Sequence, residues 1–181
     1  SVLEQFDKGY KLSPKQLEKI SKIENKYSPE ALRKQKEWAD NYDEEKRNLA
    51  TICATYYEYN QIAQYGHLPI ARMVLNDKSF IPTEKQYNKL VNNKFAQKIV
   101  KATLDKPKFE VGQLLSVRKT LSANAYTNRY MLHELSGVPV MVIEINSKPV
   151  VSPAKGAKVY KVLPFGSTKT CYIEERNLKK M

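Results

Sequence analysis

Groups able to do acid–base or covalent chemistry are few and scattered along this chain. The two histidines, His67 and His133, lie far apart, and neither stands in a His-Glu-x-x-His spacing that would turn two imidazoles toward one zinc ion. Cys53 and Cys171 are the only cysteines, so they predict reduced core thiols rather than a disulfide framework or a zinc knuckle. Metal-assisted phosphodiester hydrolysis needs two or more carboxylates converging on a divalent cation. The groups that come nearest are Asp43-Glu44-Glu45 and Glu174-Glu175. The first reads as acids at a helix start, where the helix dipole favours negative charge. The second reads as a strand end flanked by Arg176, Lys179 and Lys180. There is no Gly-x-Ser-x-Gly elbow, phosphate-binding loop or dinucleotide fingerprint, and 6 glycines in all leave little material for one. The expectation is a nonenzymatic protein with no metal and no cofactor.

Binding chemistry is better represented. The chain carries a net charge of +12. Residues 1–106 hold 19 basic and 14 acidic side chains, and residues 107–181 hold 12 and 5. The second part is the more single-signed surface, which points to an anionic partner, nucleic acid first. Lysine-rich exteriors also serve solubility alone. Residues 124–130, Asn-Ala-Tyr-Thr-Asn-Arg-Tyr, interleave aromatic, amide and basic groups, the combination that stacks on bases while pairing with phosphates. On this reading Lys108, Arg118, Lys119, Arg129, Lys155, Lys158 and Lys161 neutralise phosphates, while Tyr126 and Tyr130 stack. Those two tyrosines would equally serve to cover the open side of a barrel. A second surface is the aromatic set Trp38, Tyr56, Tyr57, Tyr59 and Tyr65, in which helical geometry sends Tyr56 to the core and turns Tyr57 away. Any exposed part of it would anchor a protein partner through the helical module.

Two kinds of element must position these groups. Residues 13–104 read as helices. Ser13 caps the first, Pro14 supplies the backbone angle wanted at the first helical position, Gln16 completes a capping box, and Leu12 and Leu17 form a hydrophobic staple. Leu17, Ile20, Ile23 and Tyr27 share one face. Ser28-Pro29-Glu30 opens a helix to about residue 40, and 41–44 another capping box. The apolar stripe Leu49, Ile52, Cys53, Tyr56 and Ala63 then runs to a terminating Gly66. Residues 69–75 suit a short helix. Thr83 and Gln86 repeat the capping device, opening a helix expected to reach about residue 103. Lys15-Gln16-Leu17 and Lys85-Gln86-Tyr87 align, which fits either a repeated hairpin or two convergent helix starts.

At residues 105–108 the hydrophobic period changes from helical to strand-like, which sets the expected domain boundary between 106 and 107. Strands are expected over 109–118, 138–145, 157–163 and 169–174, with a turn at 164–167. A fifth would be short or hidden in the long 121–137 connection. The fold class is α+β, a helical module followed by a small barrel. Residues 1–7 lack the basic and apolar regions of a targeting segment, and no apolar run approaches the roughly 20 residues that cross a bilayer. An intracellular, cytoplasmic protein without membrane contact is expected.

The run 109–118, followed by 140–144 and 159–163, resembles SH3-like barrels of the Tudor and KOW type, although the further glycines of a KOW motif are missing. The barrel resemblance implies a scaffold used for nucleic-acid binding, peptide binding or structure. The Leu-Ser-Pro-Lys-Gln helix start, its second Lys-Gln occurrence and the 157–176 segment are similar to small uncharacterised proteins of tailed bacteriophages. That resemblance implies an accessory factor working in the host cytoplasm, and brings no activity or site residues with it.

Overall fold

In a computed structural model of the chain, residues 13–63 and 66–181 are described. Leu12, Tyr65 and residues 1–7, to which the staple, part of the aromatic set and the targeting argument refer, lie outside them. The chain divides into two compact units, Ser1–Asp43 and Glu44–Met181.

The described part of the first unit is two helices, α1 (Pro14–Lys26) and α2 (Pro29–Asp40). Ser13 accepts the Gln16 N–H and the Gln16 side chain accepts the Ser13 N–H, so the capping box forms as expected. Ser28 caps α2 through the Ala31 N–H, with Pro29 in its first turn. Neither helix buries a residue. Leu17, Ile23, Tyr27 and Leu32 are all about half exposed.

The second unit is α+β: helices come mostly first and an antiparallel sheet follows. Its helices are α3 (Glu44–Tyr59), α4 (His67–Asn76), α5 (Glu84–Val91) and α6 (Lys94–Leu104). Their core is built on small side chains. Ala50, Cys53, Ala54 and Ala71 are fully buried, which lets α3 and α4 pack closely, with Leu90, Val91 and Ile99 filling the space from α5 and α6. Two helix ends differ from expectation. Gly66 does not end α3, which stops at Tyr59; it takes a left-handed conformation (φ 67°) as the residue that starts α4. The long helix expected from Glu84 is broken at Asn92-Asn93, because the Asn93 amide oxygen accepts from the Phe95 and Ala96 N–H groups and so starts α6 anew.

The strands are β1 (Leu114–Val117), β2 (Pro139–Ile145), β3 (Val159–Pro164), β4 (Cys171–Glu174) and β5 (Leu178–Lys180), in the order β4-β3-β2-β1-β5. Alternation in β2 sends Val140 and Val142 inward and Met141 and Ile143 outward. Phe109, Leu115, Leu132, Tyr160, Ile173 and Leu178 join them in one core. Phe109 meets Tyr160 edge to face at 5.7 Å.

The sheet is open, with β4 and β5 at opposite edges. The fifth strand lies not in the 121–137 connection but at the C-terminal end, after a 3-10 turn at Glu175–Asn177. The connection instead holds α7 (Arg129–Glu134), capped by Asn128. Its first part is tied to both edges: buried Asn177 exchanges two hydrogen bonds with the Ser122 backbone, and Thr127 donates to the Tyr172 carbonyl.

The expected boundary between 106 and 107 falls inside this second unit. Asn60 donates to the Val151 carbonyl at 2.9 Å, Tyr59 to the Ala125 carbonyl at 2.7 Å, and the Lys158 ammonium to the carbonyls of Thr103 and Asp105. Among the described residues no helix is long and apolar enough to cross a membrane.

Candidate nucleic-acid interface

The carboxylate pairs have basic or polar neighbours. Glu44 and Glu45 line a cleft with Arg47 and Lys78. Glu174 is buried against Arg176, and Glu175 accepts from the Tyr160 hydroxyl and the Lys108 N–H. Among the described residues, no three His, Cys, Asp or Glu side chains cluster closely enough to hold a metal ion. His67 is buried and stacked on Tyr57, ring centroids 4.5 Å apart, and burial followed by the nearby Lys89 lowers its pKa. Tyr57, expected to face away from the core, is itself buried. Burial pushes the Cys53 thiol up to about 12 and that of Cys171 to about 11, so neither is a ready nucleophile.

The proposed phosphate and stacking groups are dispersed. Lys108 is exposed with its ammonium 5.7 Å from the Phe109 ring. Arg118 donates to the Leu178 carbonyl at 3.1 Å, and the Lys119 stem passes Gly137. Lys161 lies 4.0 Å from the Glu144 carboxylate. Arg129 and Tyr130 stand exposed on α7, where a hydrogen bond from its hydroxyl to Glu134 raises the Tyr130 pKa. Tyr126 packs at 5.6 Å from the Tyr59 ring and donates to the Pro149 carbonyl. Desolvation raises its pKa to about 12.

Lys155 and Lys158 do come together, in a cleft of about 500 Å³ between α6 and the 153–158 segment. Lys98, Lys101 and Lys106 line the same cleft, so five lysines border it against the two acidic residues Asp105 and Glu175. Gly156 permits the cleft's geometry: its φ is +72°, and a Cβ there would lie 3.1 Å from the Arg176 backbone nitrogen.

The five lysines are not equivalent. Lys158 is only 4% exposed and donates to Asp105 at 2.6 Å and Thr103 at 3.0 Å. It caps the C-terminus of α6, whose dipole would otherwise repel an anion. Burial lowers its pKa against the opposing pull of Glu175 and Asp105. The other four are exposed and line the cleft.

Lys98 and Lys101 escape a reading that divides the chain at 106, because they stand on a helix assigned to the other module. The signal was present: Lys94, Lys98 and Lys101 recur at i, i+4 and i+7, a basic stripe on one helical face.

Beside the cleft lies a second one of about 750 Å³, lined by Tyr56, Tyr57, Ile62, His67 and Phe95. Pro153 borders both. Most polar groups here are already engaged. Asn60 donates to Tyr56 and Val151 carbonyls, and Asn93 donates to the Tyr57 hydroxyl at 2.7 Å. Phe95 is 55% exposed.

No family model, curated protein or solved structure matches this chain.

Proposed function

We propose that this chain is a nonenzymatic accessory protein that binds nucleic acid with little sequence preference, and that the lysine cleft on α6 is its main phosphate contact. The observation that carries the reading is the meeting of Lys98 and Lys101 with Lys106 and Lys155 beside a helix end already neutralised by Lys158. Four flexible, exposed ammonium groups recognise the charge of a backbone rather than the edge of a base, so affinity without sequence readout follows. Arg118, Lys119, Lys179 and Lys180 add further exposed cations at the β1–β5 edge. The finer SH3-like description of the sheet is favoured by its order, with β5 beside β1, and by the 3-10 turn leading into β5. A phage origin in a host cytoplasm belongs to this same proposal and rests on sequence resemblance.

A polyanion binder driven by counterion release loses affinity steeply with salt. Fluorescence anisotropy with labelled single-stranded and duplex oligonucleotides, at roughly 50 and 200 mM salt, is expected to show that loss for the native chain. The Lys98→Gln/Lys101→Gln variant is expected to have a shallower slope, by about 0.9 per phosphate contact on duplex DNA. Absence of binding to either polymer at the lower salt overturns the proposal.

A second reading, a protein-interaction adaptor or inhibitor acting through the helical module, is favoured by the exposure of Leu17, Ile23 and Tyr27 along α1. Apolar stripes of this kind bury themselves against a partner when one is present.

A further inference from the structure

We infer that the preferred ligand is a single strand, with its phosphates in the lysine cleft and a base against Phe95 in the adjoining aromatic cleft. This rests on the nucleic-acid reading above and narrows it. The two clefts share Pro153 and run along one helix: Phe95, Lys98 and Ala102 stand at i, i+3 and i+7, on one face of α6. From Phe95 to Lys101 the helix axis advances about 9 Å. An aromatic ring and the Lys98 cation thus stand about one turn apart on this face, with the other lysines of the cleft nearby, the combination that holds unpaired nucleotides.

The chemistry of the aromatic cleft selects the same ligand. Among the described residues Phe95 is the exposed ring there, while Tyr57 is stacked on His67. The Asn60 and Asn93 amide donors are spent on carbonyls and the Tyr57 hydroxyl, so neither offers a donor to a base edge. Any base can use a π-face, which agrees with weak sequence preference. A duplex keeps its bases stacked on one another and presents none to Phe95, so it can occupy only the lysine cleft.

Three probes separate the possibilities: a labelled oligothymidylate, the same strand annealed to its complement, and inorganic polyphosphate as a polyanion without bases. The native chain is expected to bind the single strand more tightly than the duplex. Phe95→Ala is expected to weaken the single strand by about 5- to 150-fold, with the salt slope and the polyphosphate and duplex affinities unchanged. Phe95→Trp is expected to keep or improve single-strand binding. Since Phe95 is half exposed, both variants are expected to fold, and their melting curves check this. Binding of all three probes with no effect of Phe95→Ala on the single strand overturns the inference and leaves the nucleic-acid reading standing. Equal weakening of all three probes by Phe95→Ala also overturns it. Failure of every probe to bind at low salt overturns both.

Discussion

The Asn124 side chain lies along the edge of β4, accepting the Glu174 N–H at 2.8 Å and donating to the Tyr172 carbonyl at 3.0 Å. One carboxamide thus takes the place of a neighbouring strand's peptide group at an edge that would otherwise be unpaired. With Thr127 on the same Tyr172 carbonyl and the Ala125 N–H on the Glu174 carboxylate, it gives the start of the 121–137 connection a structural role. That segment had also suggested base stacking.

Asn124→Ala is expected to destabilise the protein by about 1–3 kcal/mol, the cost of leaving partly buried backbone groups unpaired. Asn124→Asp is expected to cost at least as much, since it replaces the donor to Tyr172 with a negative charge near the buried Glu174 carboxylate. Urea unfolding measures both, and an unchanged midpoint would return this segment to the surface. Affinity for nucleic acid is expected to stay at the native value in either folded variant.

Lys155 and Lys158 line one cleft and are expected to respond in opposite ways. Lys158→Met removes two charge-assisted hydrogen bonds to the end of α6, with an expected loss of about 1–3 kcal/mol and little change in the salt dependence of binding. Lys155→Met is expected to leave stability within about 0.5 kcal/mol and to make the salt slope shallower. Melting curves paired with binding at two salt concentrations read both effects. The reverse pattern would mean that the Lys158 ammonium serves the ligand and not the helix.

Burial raises the Glu174 carboxyl above its ordinary 4.5, against the opposing pull of the Ala125 N–H and Arg176. The native state therefore keeps a proton that the unfolded chain has already lost, over a window that starts near 4.5 and extends upward. Stability from this group is present below that window and is lost as pH rises through it. Glu174→Gln has no such titration. The stability of the native chain minus that of Glu174→Gln is expected to fall with rising pH across the window, measured from urea midpoints. A difference that grows with pH would show that the ion pair with Arg176 outweighs desolvation.

Local chemistry fixed much of this protein before any tertiary contact. Ser13, Ser28 and Thr83 cap helices where their hydroxyls meet N–H groups three residues on, and such short-range bonds are written in consecutive residues. The alternation of Val140 and Val142 with Met141 and Ile143 likewise marks β2 by its period alone. The proposed binding surface was not legible in that way. Lys158 has the same sequence signature as Lys155, and only the arrival of the α6 carbonyls turned one into a buried cap and left the other exposed. Tyr126 and Tyr130 differ by four positions, yet one is held by Tyr59 and Pro149 and the other is 72% exposed. The α6 lysines and the 153–158 segment, some fifty residues apart, became one cleft only when helix and sheet folded together. Charge and aromaticity are properties of single residues; which of them share a surface depends on contacts between distant parts of the chain, and no local pattern records those.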